Sequence, residues 1–291
     1  MSAASAPIAA VERSVHVAGK TIHYAEFGAG DPLILLHGGG PGASGVPNYE
    51  RNIGPLAQHF RVIVPDMPGY GRSSKGLSRT DPFGACATAM LALMDALKVR
   101  RACLVGNSLG GACALRMALE QPVRVAGLVL MGPGGIDTTR GLPTQGLKLL
   151  LDYYSGDGPT REKLSTFIRQ FLVYDGNQIS DAVIDARFQA SLDPEVSAQP
   201  PLVRPKGLSK FRLIDFTRDP RLPGLQTPTL VLWGTEDRVN RPSGAASLQR
   251  RLPNCDTYLF SRTGHWVQWE RADEFNATVT GFARHHFGRE A

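Results

Sequence analysis

The residues of this chain best suited to chemistry gather around one serine. Gly106-Asn107-Ser108-Leu109-Gly110 places a hydroxyl with glycines two residues to either side, after an apolar run and before a stretch rich in small residues. A sharp strand-to-helix turn needs such neighbours, because larger side chains would collide with the adjoining strand and helix. The turn lifts the serine oxygen clear of the strand edge at a helix start, whose free amides favour developing negative charge. A serine in front of a helix can instead be a simple N-cap. Five motif positions and both flanks favour a nucleophile.

A serine hydroxyl needs a base. Among seven histidines, His23, His37 and His59 precede Ser108, and His285 and His286 lie in a polar tail. His265, in Thr263-Gly264-His265-Trp266, follows the last expected strand, where a loop can return its imidazole to the strand tips. Asp237, in Gly234-Thr235-Glu236-Asp237-Arg238, follows the strand before that one. It can accept the His265 N–H and so fix the tautomer that takes the serine proton. Glu236 is the adjacent competitor, and both acids could merely cap the turn. The chain order Ser, Asp, His agrees with the serine motif independently.

An oxyanion needs two donors. The backbone N–H of Leu109 is one, and the other is expected from Gly39 in His37-Gly38-Gly39-Gly40, where missing side chains expose amides. A phosphate cradle would call for GxxxxGK[ST], which is absent. His37 is expected to hold the glycine loop by side-chain hydrogen bonds.

These residues need a scaffold. Val15–Val17 and Thr21–Phe27 predict strand, turn and strand; Leu33–Leu36, Val62–Val64, Cys103–Val105 and Leu128–Leu130 predict short buried strands. Helical spacing covers Tyr49–His59, Ala85–Leu97 and Ala112–Leu119, giving βαβ units and a parallel sheet. From Ile136 to Phe216 no strand is expected, only helices at Leu147–Tyr154, Arg161–Val173 and Asp181–Leu192 and a proline-rich loop at Pro194–Pro205. Strands return at Thr229–Trp233 and Thr257–Phe260, with helices at Gly244–Arg251 and Ala272–His286. The expected division is a core of 11–136 and 217–291 with a helical lid of 137–216, set above the carboxyl ends of the strands where open α/β sheets bind ligands.

Composition narrows the class. With 291 residues, 42% of them hydrophobic, the chain can build one large core and a smaller accessory unit. Its formal charge of +6 comes from scattered arginines, without the basic run that nucleic-acid binding favours, and suits an anionic small substrate. The four cysteines, Cys86, Cys103, Cys113 and Cys255, form no CxxC pair and read as free thiols in a reducing compartment. Met1–Ala10 lacks a basic n-region and a sustained apolar core, so it reads as a tail and not a signal peptide. No stretch approaches a membrane span. The expected setting is the cytoplasm, without membrane or nucleic-acid partners.

Taken together, LLHGGGPG at Leu35–Gly42, Arg51-Asn52, VGNSLGG at Val105–Gly111, LMGPGG at Leu130–Gly135, GHWVQWE at Gly264–Glu270 and Asp273–Asn276 resemble the meta-cleavage product hydrolases. These are carbon–carbon bond hydrolases of bacterial aromatic and steroid ring degradation. The resemblance implies an α/β-hydrolase fold, with a mostly parallel eight-stranded sheet and an inserted helical lid. It implies a 2-hydroxy-6-oxohexa-2,4-dienoate substrate, no metal or organic cofactor, and a homodimer or higher homo-oligomer. By motif match it gives Arg187 the substrate carboxylate, Asn48 and Asn107 the carboxylate or dienol end, and Trp266 packing at that end. Gly38 and Gly40 join that subsite. Phe171 and Leu172, with Leu142, Leu147, Val173, Ile214 and Val239, are candidate lining for the C6 substituent.

Each has a plainer reading: Arg187 as a solvated lid residue, Asn107 as part of the elbow turn, Asn48 as a cap for the helix near Tyr49, Trp266 as packing. Trp233 and Trp269 read as core or rim. The resemblance favours an aryl ketone, with steroid seco-dienoates and 6-alkyl dienoates as rivals. Pro200 to Asp219, carrying Lys206, Lys210, Arg212 and Arg218, departs from the family pattern and leaves the pocket shape open. A carboxylesterase and a non-catalytic receptor of the same fold remain the alternatives.

Overall fold

The strands are β1 (Val11–Val17), β2 (Lys20–Phe27), β3 (Pro32–Leu36), β4 (Arg61–Pro65), β5 (Ala102–Asn107), β6 (Val125–Met131), β7 (Thr229–Gly234) and β8 (Cys255–Phe260). They form one sheet in the order β1-β2-β4-β3-β5-β6-β7-β8 in a computed structural model, which describes residues 10–138, 141–204 and 214–287. The β1–β2 and β2–β4 pairs are antiparallel, and all others are parallel. Every residue of β5, β6 and β7 is buried, as expected of strands covered on both faces.

Side-chain alternation divides the sheet between two cores. Ile34, Leu36 and Leu104 face the helices Pro82–Ala96 and Leu109–Glu120, while Leu33, Leu35 and Val105 face Phe275 and Val279 of the helix Ala272–Phe287. A third cluster joins Leu164, Phe167, Ile168 and Leu172 of the lid to Trp266 and Trp269 of the core. The lid is thus seated on the loop that carries His265.

Between β6 and β7 the described residues contain helices and no strand: Gln145–Leu151, Arg161–Thr166, Asp181–Ser191 and Pro194–Ala198. Three details depart from the sequence reading. The expected helix Tyr49–His59 is two short ones, Gly45–Asn48 and Ile53–Ala57. Tertiary hydrogen bonds hold the break, from Tyr49 Oη to Leu36 O at 2.8 Å and from Asn52 Nδ2 to Gln268 O at 2.9 Å. The expected helix Arg161–Val173 widens into a π turn over Phe167–Leu172, a form frequent at functional sites. Pro194–Ala198 is helical, its first turn capped by Asp193 Oδ1 accepting from Glu195 N at 2.9 Å. Lys206, Lys210 and Arg212 lie outside the described residues, as does the stretch before Ala10. None of the described helices is long and apolar enough to cross a membrane.

Candidate active site

The chain turns sharply where β5 ends. Ser108 has φ +53° and ψ −110°, a strained conformation for a residue with a side chain. Close packing enforces the turn: a Cβ on Gly106 would lie 2.3 Å from Gly110 O, and one on Gly110 would lie 2.0 Å from Leu36 O. Ser108 occupies the N-cap position of the helix Leu109–Glu120, yet its side chain makes no capping bond. The simple capping role is therefore excluded, and the hydroxyl is left for other work.

Asp237 meets His265 at 2.7 Å, Oδ2 to Nδ1, with both side chains buried. Oδ1 accepts the Val239 and Asn240 N–H groups at 2.8 and 2.9 Å, and Oδ2 also accepts Trp233 Nε1–H at 2.9 Å. With its oxygens so placed, the carboxylate accepts a hydrogen bond from the Nδ1–H of His265, the tautomer that leaves Nε2 as the basic nitrogen. Glu236 is exposed, so the competition between adjacent acids goes to Asp237. Ser108 and His265 line one small cavity, but no hydrogen bond joins the hydroxyl to the ring. Such contacts commonly close only with substrate in place.

Beside the serine, His37 organises the glycine loop. Its Nδ1–H donates to Gly38 O at 2.8 Å and its Nε2 accepts Met67 N–H at 2.9 Å. Burial holds its pKa below the usual value, in keeping with a neutral ring. Tyr70 Oη donates to Gly39 O at 3.0 Å, and a Cβ on Gly39 would stand 3.2 Å from Leu109 Cβ. Gly39 and Leu109 are thus neighbours at the helix start, where their amides can serve one oxyanion.

Two cavities meet at Ser108. The smaller, about 10 Å³, is lined by Gly38, Gly39, Gly40, Asn48, Asn107, Arg187, His265 and Trp266, closed over by Leu150, Phe167, Leu172 and Val239. Its polar groups are under-used. Arg187 donates from Nη2 to Pro41 O at 3.1 Å and lies 4.9 Å from the Trp266 ring centre, yet its Nε has no partner. No carboxylate pairs with this buried arginine among the described residues, and burial lowers its pKa to about 10. Asn107 Nδ2 donates to His265 O at 3.1 Å while its Oδ1 is unpartnered, and Asn48 Nδ2 is buried and unpartnered too. Asn48 ends a helix and does not start one, so it caps nothing at Tyr49.

The larger cavity, about 540 Å³, opens from Ser108 and Leu109 along Phe83, Ile136, Leu147, Leu151, Leu202, Ile214 and Val239. Phe171 and Val173 line neither cavity, and Leu172, expected beside the C6 substituent, lines the smaller cavity with Phe167 at the other end of the π turn. Leu142 is 79% exposed and lines neither.

Three contributors escape sequence reading. Trp233 is buried as expected, but its N–H also serves Asp237. Gly132 has φ +45°, and a Cβ there would stand 3.0 Å from Asp237 Oδ2 and 3.1 Å from His265 Nδ1. Its place in LMGPGG is the one signal of that role. Glu270 accepts backbone N–H groups from both the lid and the His265 loop.

Residues 31–272 match the family model described as alpha/beta hydrolase fold. The chain is 40% identical over 273 residues to a 2-hydroxy-6-oxo-6-phenylhexa-2,4-dienoate hydrolase of Comamonas testosteroni, covering 90% of this chain and 91% of that one. It is 37% identical over 266 residues to a 2-hydroxy-6-oxononadienedioate/2-hydroxy-6-oxononatrienedioate hydrolase of the same organism, covering 90% of each. Among solved structures, a meta-cleavage product hydrolase from Pseudomonas fluorescens IP01 superposes with a TM-score of 0.81 at 32% identity, over 93% of this chain and 96% of that one. With an elbow serine between a small polar cavity and a larger one of mixed lining, and likeness along nearly its whole length, this chain belongs to the meta-cleavage product hydrolases of the α/β-hydrolase superfamily.

Proposed function

We propose that this enzyme cleaves the C5–C6 bond of a 2-hydroxy-6-oxo-6-arylhexa-2,4-dienoate, such as the 6-phenyl compound named for its relative, giving 2-hydroxypenta-2,4-dienoate and an aromatic acid. The observation that carries this reading is Arg187: a buried guanidinium without an acidic partner among the described residues, at the closed end of the site. Burying an unpaired charge is expensive, and an anionic ligand relieves that penalty. A planar carboxylate suits the guanidinium fork.

In this reading the C1 carboxylate lies on Arg187 and the C2 oxygen on Asn48 and Asn107, with Trp266 against the conjugated chain. Gly38 and Gly40 let the loop lie close against Asn107 and Arg187, where a Cβ would come within 2.7 Å of Asn107 Oδ1 and 2.9 Å of Arg187 Nη2. The C6 substituent extends into the larger cavity, whose size admits a phenyl ring. The 2-hydroxyl proton is lost as a proton is gained at C5, giving the 2-keto tautomer, with His265 taking part. Ser108 Oγ then attacks C6 as its proton passes to His265 Nε2, and the N–H groups of Leu109 and Gly39 hold the oxyanion. Collapse of the oxyanion breaks C5–C6, and the electron pair runs through the conjugated chain to the C2 oxygen, which takes the His265 proton. Water, deprotonated by His265, then releases the acid from Ser108. An ester needs no such electron sink, since its alkoxide leaves unaided; a ketone does.

Product analysis tests this directly. Incubation with the 6-phenyl substrate is expected to yield benzoate and the hydroxypentadienoate in equal amounts. Hydrolysis of a simple ester with no cleavage of the dienoate would replace the proposal with the carboxylesterase reading. A second reading has one observation in its favour: Arg79, Arg241 and Arg250 also line the larger cavity and would suit a 6-alkyl substituent ending in a carboxylate. The lid boundaries at 137 and 216, a cytoplasmic setting and a homodimer or higher homo-oligomer belong to the same proposal. The edge strand β8, with Tyr258 and Leu259 half exposed, supports pairing between copies.

A further inference from the structure

Glu270 is a partly buried carboxylate that no step above uses. It ends the short helix Val267–Glu270 behind Trp266. Its Oε2 accepts Tyr174 N–H at 2.7 Å, and its two oxygens accept Gly264 N–H at 3.0 and 3.1 Å. Tyr174 belongs to the lid, just past the π turn, and Gly264 immediately precedes His265. Between these contacts His265 N–H donates to Leu172 O at 2.7 Å. The approach is so close that a Cβ on Gly264 would lie 2.7 Å from Val173 C and 2.8 Å from Leu172 O. One carboxylate thus ties two segments that otherwise share one backbone hydrogen bond, the packing of Leu172 and Val173 on Trp266, and the approach of Arg262 to the Tyr174 ring. One segment carries the base, and the other carries Leu172, which covers the polar cavity.

We propose that Glu270 is a positioning residue that, as a carboxylate, clamps the lid segment Leu172–Tyr174 to the loop bearing His265, holding the base and the cover of the polar subsite in one arrangement. This rests on His265 acting as the base in the proposed reaction. Its chemistry is that of an acceptor shared by two N–H donors, which a carboxylate satisfies with both oxygens and a carboxylic acid satisfies with one.

Burial pushes the Glu270 pKa up to about 7, against the opposing pull of the Tyr174 and Gly264 N–H groups and of His265. The groups facing it are His265 on the loop and Tyr174 on the lid, with Arg262 over the Tyr174 ring. On its outer side Arg51, Arg271, Asp273 and Glu274 line the same shallow cleft. An acid whose folded pKa is raised binds its proton more tightly in the folded state, so stability falls as pH rises from the ordinary glutamate range to about 7. Above that pH the clamp is ionised at the expense of stability.

The test uses the full chain and Glu270→Gln, which keeps the shape and removes the charge. At about pH 8 and without substrate, hydrogen-exchange protection factors of the Gly264 and Tyr174 amides, which both donate to Glu270, are expected to be at least about tenfold higher in wild type than in the variant. At about pH 8 the variant is expected to lose about tenfold in kcat while its Tm is equal or higher. Protection of these amides that is equal in the two proteins would overturn the clamp. A kcat unchanged by the substitution would overturn the positioning role. If the dienoate is not cleaved by either protein, the substrate assignment fails while the amide data still decide the clamp.

Discussion

The indole N–H of Trp233 donates to Asp237 Oδ2 at 2.9 Å, the oxygen that also receives His265 Nδ1 at 2.7 Å. A buried residue of β7 therefore fixes the carboxylate that holds the His265 ring. Hydrogen bonds to charged groups contribute about 1.5–3 kcal/mol. Trp233→Phe removes the donor and keeps most of the packing, so kcat is expected to fall about tenfold. Steady-state rates equal to wild type would contradict this role.

Gly132 makes a second prediction. A methyl group there would press on both Asp237 Oδ2 and His265 Nδ1, and its φ of +45° is poorly tolerated by any other residue. Gly132→Ala is expected to lower kcat by about tenfold to a hundredfold, with circular dichroism unchanged. A fully active variant would show that the pair has more slack than its contacts indicate.

Arg187 should trade stability for function. Arg187→Met removes a buried, unpaired charge, so Tm is expected to rise while kcat/KM for the dienoate falls at least about a hundredfold. Arg187→Lys should restore little, because an ammonium cannot reproduce the planar fork. Its pKa, lowered to about 10 by burial, sets a pH limit. The cation is lost as pH rises through that value, so KM for an anionic substrate should climb above about pH 10. A lower Tm in Arg187→Met, or a KM flat with pH, would count against the assignment.

The larger cavity separates the two substrate readings. Arg241→Ala combined with Arg250→Ala is expected to leave the 6-phenyl compound within about twofold and to reduce kcat/KM about tenfold for a substituent ending in a carboxylate. Equal effects on both would remove the arginines from substrate selection.

Sequence legibility followed the range of the interactions. The strands, the Ser108 turn and the order of Asp237 and His265 rest on local patterns, and the structure shows the strands and the turn close to where those patterns lie. Arg187 was different. By its own spacing on a polar lid helix it reads as solvated, and the resemblance alone gives it a place in the site; the fold brings it beneath Trp266 and beside Asn48. Phe171 is candidate lining by resemblance, but across the π turn Phe167 and Leu172 reach the smaller cavity and Phe171 does not. Trp233, Gly132 and Glu270 act across segments far apart in the chain, and no local spacing encodes such contacts.

The central claim is that Ser108 cleaves a dienoate held by Arg187. Its most direct measurement is the loss of the yellow dienolate colour of the 6-phenyl substrate, followed in wild type, Ser108→Ala and Arg187→Met beside turnover of a simple phenyl ester. Wild type is expected to bleach the colour, Ser108→Ala to bind without cleavage, and Arg187→Met to lose dienoate turnover far more than ester turnover. Colour that persists with wild type while the ester is hydrolysed would contradict the account.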